Sequence, residues 1–301
     1  MALTFPVEPM KAVLSTLPPD SDDDNWGYEI KWDGYRTLSF IDGKGIRLQS
    51  SNRLDVTKKY PELAELPKSV GAKSAVLDGE LVVFDANGRP TFELMQRHET
   101  PVVFQVFDVL SIGGKDVFGQ PYETRRERLR DLVEQGGYWS VPSHRIGGGK
   151  DLLEAATERD LEGVMAKRLG SPYQPGKRTP NWRKVKIRRE VDVVVGGYTG
   201  GTGTRSSSFG ALLVGVPGED GALKFAGGVG TGYTQRTLDE LLRLLRTLRT
   251  DTCPFTPTPP REYSRNSTWV EPVLVAQIQL TEFTNEGYVR HASFLGMKER
   301  T

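Results

Sequence analysis

Short stretches of alternating or continuous apolar residues recur over 28–30, 36–41, 46–49, 75–84 and 102–110, each rich in Val, Ile, Leu, Phe and Tyr. Period-two alternation and brief apolar runs bounded by Gly and Asp predict β-strands, and Asp42-Gly43 predicts a hairpin turn. Two helices interrupt them. Thr124 and Glu127 stand at capping-box spacing ahead of Leu129, Leu132 and Val133, with Gly136 placed to stop the helix. The second helix is predicted over 151–160, with Leu152, Leu153, Ala155 and Ala156 as its apolar positions. Strands and helices that mix without strict alternation predict an α+β fold rather than a doubly wound sheet.

The texture changes after Arg189. A strand-like run over 191–195 leads into a glycine-rich segment, and further strands are predicted over 211–216, 223–226, 273–280 and 288–289. One helix, over 237–249, carries Leu238, Leu241, Leu242, Leu245 and Leu248 on one face behind the capping pair Thr237 and Glu240. A few strands with one helix fit a small closed β-barrel of the OB type. Two domains are therefore predicted, 1–188 and 189–301, with the proline-rich 254–260 as a surface connection inside the second.

A length of 301 residues accords with two cores. Charged residues at 26% and the apolar set at 37% are a globular composition. No apolar run approaches the roughly 18 residues of a membrane span, and the chain start lacks a basic segment ahead of an apolar one, so a cytosolic protein is expected. Cys253 is the sole cysteine, and His98, His144 and His291 stand far apart, which argues against disulfides and zinc-hydrolase spacing. The net charge is only +1, yet nine basic residues and no acidic one fall within 163–189: Lys167, Arg168, Lys177, Arg178, Arg183, Lys184, Lys186, Arg188 and Arg189. Such a stretch either holds a phosphate-rich ligand or is a solvated face.

Glycine-rich strings do not make a P-loop here. Gly147-Gly148-Gly149-Lys150 is followed by Asp151 where Ser or Thr is needed, and Gly200-Gly201-Thr202-Gly203 has no lysine after it, so both predict turns. The informative string is Lys31-Trp32-Asp33-Gly34-Tyr35-Arg36, which follows the strand-like Tyr28-Glu29-Ile30. A lysine at a strand end beside an apolar wall is a candidate amine nucleophile. Asp33-Gly34 supplies a tight turn, and Arg36 returns a fixed cation to the same place, where it can bind phosphate oxygens. Read alone, the string is equally an exposed lysine ahead of a hairpin.

It has partners downstream. The string resembles motif I of the covalent nucleotidyltransferases, a superfamily of ATP-dependent DNA ligases, RNA ligases and mRNA capping enzymes. Asp78-Gly79-Glu80-Leu81-Val82 is similar to the family's next element, Phe107-Asp108-Val109-Leu110 to motif III, Glu162-Gly163-Val164-Met165-Ala166-Lys167 to motif IV and Trp182-Arg183-Lys184-Val185-Lys186 to motif V, in family order. Within the superfamily, the wording around Lys31, Ser171-Pro172-Tyr173-Gln174 and Trp269-Val270-Glu271-Pro272 most resembles the bacterial end-joining DNA ligases.

The resemblance implies an adenylation (nucleotidyltransferase) domain of antiparallel sheets with helices, followed by an OB-fold domain. It implies that Lys31 takes AMP from ATP and passes it to a DNA 5′-phosphate, with Asp33, Arg36, Lys184 and Lys186 completing the catalytic set. Glu29 corresponds to the adenine contact with Ile30 beside it, Phe107 to the aromatic that stacks on the purine, and Glu80 and Glu162 to groups facing Mg²⁺ or Mn²⁺ and the ribose. Arg53, Lys177 and Arg178 are candidate contacts to nicked or broken double-stranded DNA, and a Ku-type end-binding protein and a repair polymerase are implied partners of a monomeric ligase. Two departures stand out. Ser51 occupies the position of the family's nick-contacting arginine, with Arg53 nearby as a candidate substitute and no substitute as the alternative, and the terminal motif reads Lys298-Glu299-Arg300 in place of an Arg, Asp and Lys set. The join between His98 and Pro101 is shorter than in many relatives. An RNA ligase or a capping-type guanylyltransferase shares these motifs, and a non-catalytic nucleic-acid-binding module shares the fold.

Overall fold

The computed structural model describes residues 3–86, 88–97, 100–284 and 286–298, so His98, Glu299 and Arg300 lie outside the described residues. The chain divides into two compact units, Met1–Ile187 and Arg188–Thr301. In chain order the first holds β1 (Lys11–Leu14), β2 (Trp26–Ile30), β3 (Tyr35–Asp42), β4 (Gly45–Ser50), β5 (Ala75–Val82), α1 (Phe92–Arg97), β6 (Val103–Ile112), β7 (Lys115–Asp116), α2 (Tyr122–Leu132), β8 (Trp139–Ser140), β9 (Arg145–Ile146), α3 (Gly149–Glu158), β10 (Gly163–Arg168) and β11 (Arg178–Lys186). They form two sheets, β1-β11-β10-β2-β9 and β4-β3-β5-β6-β7 with β8 beside β6. Pairing is antiparallel except where β1 meets β11 and β8 meets β6.

Strand periodicity assigns each face a task. In the first sheet Met165 pairs with Glu29 and Lys184, and Lys167 with Trp182, so these side chains share one face. The other face turns Tyr28, Val164, Ala166 and Val185 toward Leu152, Leu153 and Ala156 of α3. In the second sheet Leu77 and Leu81 pack with Leu48, Phe104 and the α2 residues Leu129 and Leu132 in the largest core. Its opposite face brings Leu38, Val76, Phe107 and Leu110 against Met10, Tyr173 and Trp182. Polar residues from both sheets thus meet above a shared apolar floor.

β6 departs from regular pairing in two places. Asp78 pairs with Asp108 but Gly79 with Val106, and Val76 pairs with Ser111 but Leu77 with Val109. Phe107 and Leu110 are the extra residues of two β-bulges, which re-aim both side chains toward the first sheet. Gly34 is demanded by close approach, since a Cβ there would lie 2.0 Å from the Leu81 carbonyl oxygen. Gly163 is demanded by both its φ of +145° and the Val185 carbonyl oxygen 2.1 Å from a Cβ.

The second unit holds β12 (Arg189–Gly200), β13 (Phe209–Pro217), β14 (Leu223–Val229), α4 (Gln235–Thr247), β15 (Arg249–Thr250), α5 (Arg261–Ser264), β16 (Ser267–Leu280), β17 (Glu282–Phe283), β18 (Val289–Arg290) and β19 (Ser293–Lys298). One sheet runs β14-β13-β12-β16-β15 with β19 also on β16, and β17 and β18 form a separate hairpin. Leu238, Leu241, Leu242 and Leu245 of α4 are buried against Val193, Val195, Phe209 and Val214 of this sheet. The strand and helix content is that expected of an OB fold. Among the described residues the ladders run as this single path, and a lone parallel bridge links Leu223 of β14 at one end to Phe255, just beyond β15 at the other.

Helix starts also differ from expectation. α2 begins after Pro121, which places Thr124 inside the helix and not at its cap, and the helix ends at Leu132, well before Gly136. α4 is capped by Thr234, whose hydroxyl accepts from the Thr237 N–H, so Thr237 is a helical residue. α3 starts two residues ahead of its predicted position, and its cap is remote: Asp23 accepts from the N–H groups of Gly148 (2.5 Å) and Gly149 (3.4 Å) and from the Tyr28 hydroxyl (2.6 Å). Asp23→Ala is therefore expected to lower unfolding stability by about 1 kcal/mol, as loss of a helix cap does; a denaturant midpoint unchanged from the parent would overturn this.

Candidate active site

Lys31 follows the last residue of β2, and its N–H donates to the Gly163 carbonyl oxygen at 2.9 Å, which ties the start of the turn to β10. This brings its amine to Glu162, the residue preceding β10. Glu162 Oε2 pairs with Lys31 Nζ, and Oε1 pairs with Lys186 Nζ at 2.8 Å. Burial pushes the Glu162 carboxyl up, but Lys31 and Lys186 outweigh it and hold the group below its ordinary value. Lys184, on the same face as Lys186, is pushed down by burial and by the cations Lys31, Lys186 and Arg178.

Lys31 sits at the edge of a cavity of about 260 Å³. Its wall includes Glu29, Ile30, Trp32, Arg36, Glu80, Phe107, Met165, Lys167, Arg178, Trp182 and Lys184. The cavity thus gathers Glu29, Ile30, Lys31, Arg36, Glu80, Phe107 and Lys184, with Glu162 and Lys186 next to Lys31 and Asp33 in the turn that follows. Larger hollows of about 430 and 650 Å³ lie elsewhere in this unit, but neither includes Lys31 or its ion partners in its wall.

Arg36 does not stand free for phosphate. Its Nε and Nη2 grip both oxygens of Asp78 at 2.5 and 2.6 Å, and Asp78 is fully buried and also accepts from the Tyr173 hydroxyl at 2.7 Å. The guanidinium carbon lies 4.7 Å from the centre of the Phe107 ring. Glu80, paired across the strands with Arg36, has no hydrogen bond or ion pair among the described residues. Burial, together with the Asp78 and Glu162 charges, pushes its carboxyl up to about 8 against the pull of Arg36 and Lys31.

Glu29 is 2% exposed. Lys167 Nζ lies 2.6 Å from Oε2, and the Tyr122 hydroxyl donates to Oε1 at 2.6 Å. Burial raises its carboxyl, and Lys167 with Arg126 more than offsets that, leaving it below its ordinary value. Lys167, pushed down by burial, also lies 4.3 Å from the centre of the Phe107 ring and 4.4 Å from that of Trp182.

The basic stretch of 163–189 divides between faces. Lys167, Lys184 and Lys186 belong to the site, whereas Arg168 pairs with Asp22 at 3.1 Å and Arg183 lies over the Trp26 ring at 4.6 Å. Arg178 lines the cavity and donates to the Ala12 carbonyl oxygen at 2.5 Å, with exposed Lys177 beside it. At the departure from the motif, Ser51 lines the cavity, while Arg53 is exposed in a left-handed turn with φ of 63° and lies outside its wall. Lys298 pairs with Asp192 at 2.7 Å in the second unit.

Sequence reasoning assigned no individual role to Asp78, Tyr122, Arg126 or Tyr173, and placed Lys167 only within the basic stretch and motif IV. The available signal was spacing: Lys167 stands two residues from Met165 on a strand, and Tyr122 and Arg126 stand four apart on a helix, each pair sharing a face.

A family model described as the ATP dependent DNA ligase domain matches residues 7–186, and one described as the ATP dependent DNA ligase C terminal region matches 205–301. The chain belongs to the ATP-dependent DNA ligase family. It is 41% identical over 275 residues to the multifunctional non-homologous end joining DNA repair protein LigD of Mycobacterium tuberculosis, covering 91% of this ligase chain and 36% of that protein. DNA ligase C1 of Mycolicibacterium smegmatis is 35% identical over 262 residues, covering 81% of this chain and 74% of that one. Among solved structures, the ligase domain of M. tuberculosis LigD is similar with a TM-score of 0.58 at 38% identity, covering 97% of this chain and 95% of that one. A mycobacterial DNA ligase D solved with ATP and MES is similar with the same TM-score at 37% identity, covering 98% and 96%. The chain spans about a third of the length of the end-joining relatives. Among the described residues of this ligase, no helix is long and apolar enough to cross a membrane, and no group of three or more His, Cys, Asp or Glu is arranged as a metal site.

A carboxyl raised in the folded state binds its proton more tightly there than when unfolded. Glu80 therefore contributes stability below its ordinary value of 4.5 that is lost as pH rises through about 8. In metal-free ligase, the melting-temperature advantage of Glu80→Gln over the parent is expected to grow between pH 5 and pH 9; a pH-independent difference would contradict the burial argument.

Proposed function

We propose that this ligase seals broken or nicked double-stranded DNA in bacterial end joining through a lysyl–AMP on Lys31. The observation that supports it is the meeting of Lys31, Glu162, Lys186 and Lys184 at the edge of a cavity with Phe107 in its wall. Phosphoryl transfer asks for positioning and charge stabilisation, which lysines, arginine and carboxylates supply without a histidine. Lys31 Nζ, once deprotonated, attacks the α-phosphorus of ATP; the bond to pyrophosphate breaks, and a phosphoramidate forms. Lys184, Lys186 and an Arg36 oriented by Asp78 offset the charge on the phosphoryl oxygens, and Asp33 shapes the turn that presents Lys31. AMP then passes to the 5′-phosphate of the break, and attack by the 3′-hydroxyl closes the strand and releases AMP.

Phe107 stacks on the purine, and Glu29 and Ile30 border it. Glu80 and Glu162 would hold Mg²⁺ or Mn²⁺, whose role when bound is to draw charge from the phosphate oxygens. Two carboxylates completed by substrate phosphates are the usual setting for Mg²⁺, and the half-buried Glu80, which has no hydrogen-bond or ion partner among the described residues, suits it. Arg178, Lys177 and Arg53 contact the DNA backbone. The ligase works in the cytosol as a monomeric module, with a Ku-type end-binding protein and a repair polymerase acting on the same break.

Intact mass under denaturing conditions, after incubation with ATP and Mg²⁺ or Mn²⁺, tests this. An AMP adduct is expected on the parent chain and none on Lys31→Ala; an adduct on that variant would remove Lys31 as the nucleophile. Phe107→Ala is expected to weaken ATP binding about tenfold, within the range for lost stacking on a nucleobase; unchanged affinity in a calorimetric titration would return Phe107 to a packing role.

A further inference from the structure

Behind the cavity, α2 presents Tyr122 and Arg126 to both of its walls. The Tyr122 hydroxyl donates to Glu29 Oε1 at 2.6 Å, and Arg126 Nε lies 3.6 Å from the same oxygen. The remaining nitrogens of Arg126 reach elsewhere: Nη1 donates to the Phe107 carbonyl oxygen at 3.1 Å and Nη2 to that of Pro142 at 2.5 Å. A single 3% exposed guanidinium therefore joins Glu29 of the first sheet to the bulged Phe107 of the second. Tyr122 is wholly buried and lies 5.3 Å, ring centre to Nζ, from Lys167.

The cluster is costly as a purely structural device. Glu29 carries one negative charge, and Lys167 and Arg126 carry two positive charges, all almost out of water. Lys167 Nζ is paired with Glu29 Oε2 at 2.6 Å, and Arg126 Nε is left without a hydrogen-bond acceptor among the described residues. Apolar packing of equal volume would serve stability as well or better. What the cluster does offer is a fixed placement of one carboxylate, one ammonium and one aromatic ring around the inner end of the cavity, with donors in excess of acceptors. That arrangement responds to the pattern of donors and acceptors on a ligand edge, because a mismatched buried polar group is left unpaired.

We propose that Tyr122 and Arg126 are positioning residues that set the choice of nucleobase by fixing Glu29, Lys167 and Phe107. The proposal rests on the nucleotide reading of this cavity. Neither residue touches the nucleotide; each acts through Glu29, and Arg126 also through the Phe107 backbone.

The test compares the parent ligase with Tyr122→Phe and Arg126→Lys. Tyr122→Phe keeps the ring and removes only the hydroxyl that holds Glu29. Calorimetric titration with ATP and with GTP gives the affinity ratio, and adduct formation with each gives kcat/KM. The expected result is a fall of about tenfold in the ATP-to-GTP ratio for Tyr122→Phe, carried by affinity and KM, as the loss of one hydrogen bond to a charged group implies. Sealing of a pre-adenylated nicked DNA should match the parent in rate, since that step does not select a free nucleotide. A parallel loss for both nucleotides in both variants, with a lowered melting temperature and an unchanged ratio, would overturn the proposal and make the cluster structural. A parent ligase that binds both nucleotides equally would overturn it too. Absence of any adduct on the parent, with ATP still preferred in the titration, would instead sink the covalent mechanism and leave this inference standing on the ratio.

Discussion

A charge taken out of water has to be answered by another, and the candidate site is built from such answers. Glu162 meets two lysines, Asp78 meets Arg36 and the Tyr173 hydroxyl, Glu29 meets Lys167, Tyr122 and Arg126, and the fully buried Asp108 meets Arg125 through two bonds of 2.8 and 2.9 Å. Most of these contacts tie neighbouring strands of one sheet, and Arg126 of α2 reaches both sheets, facing Glu29 of the first and donating to the Phe107 carbonyl oxygen of the second. Glu80 is the exception, and the rise of its carboxyl is the direct result. The same constraint shapes the nucleophile: Lys31 is oriented by Glu162, and a ligand that claims Glu162 alters the setting of the amine.

The division of labour between sheet faces explains how so many polar groups sit beside a packed interior. Period-two geometry sends Glu29, Lys167, Lys184 and Lys186 one way and Tyr28, Val164, Ala166 and Val185 the other, where α3 covers them. One sheet therefore serves chemistry and cohesion at once. The close approach at Gly34 and the left-handed backbone at Gly163 fix the ends of the strands that carry Lys31 and Glu162.

Much of this was legible in the sequence because it is local or periodic. The strand runs around Lys31, Glu80 and Phe107 and the leucine face of α4 follow from spacing alone, and the order of the motifs was enough to identify the family. What escaped the sequence is what depends on distant partners. Asp23 caps a helix that begins more than a hundred residues later. The starts at Pro121 and Thr234 are a different case, since both are local signals three residues ahead of Thr124 and Thr237 that the capping-box spacing hid. Arg36 reads as a free cation until Asp78 is seen to orient it. The basic stretch reads as one face until strand alternation parts Arg183 from Lys184. Closure of the second unit's sheet depends on contacts between strand ends, which strand count cannot supply.

The two bulges in β6 have a consequence for how this strand tolerates change in length. Upstream of them Phe104 and Val106 address the large core; after the extra residue Phe107 it is Val109 that does so, three positions on instead of two. Deleting Phe107 would leave Val106 and Val109 at the two-residue period of a regular strand, both still facing the large core and still opposite the same β5 partners. What would go is the ring that the bulge lends to the cavity. The extra position lets β6 present a side chain to the site that its ladder does not need, so the strand can lose that residue without turning its core outward, at the expense of the cavity wall alone.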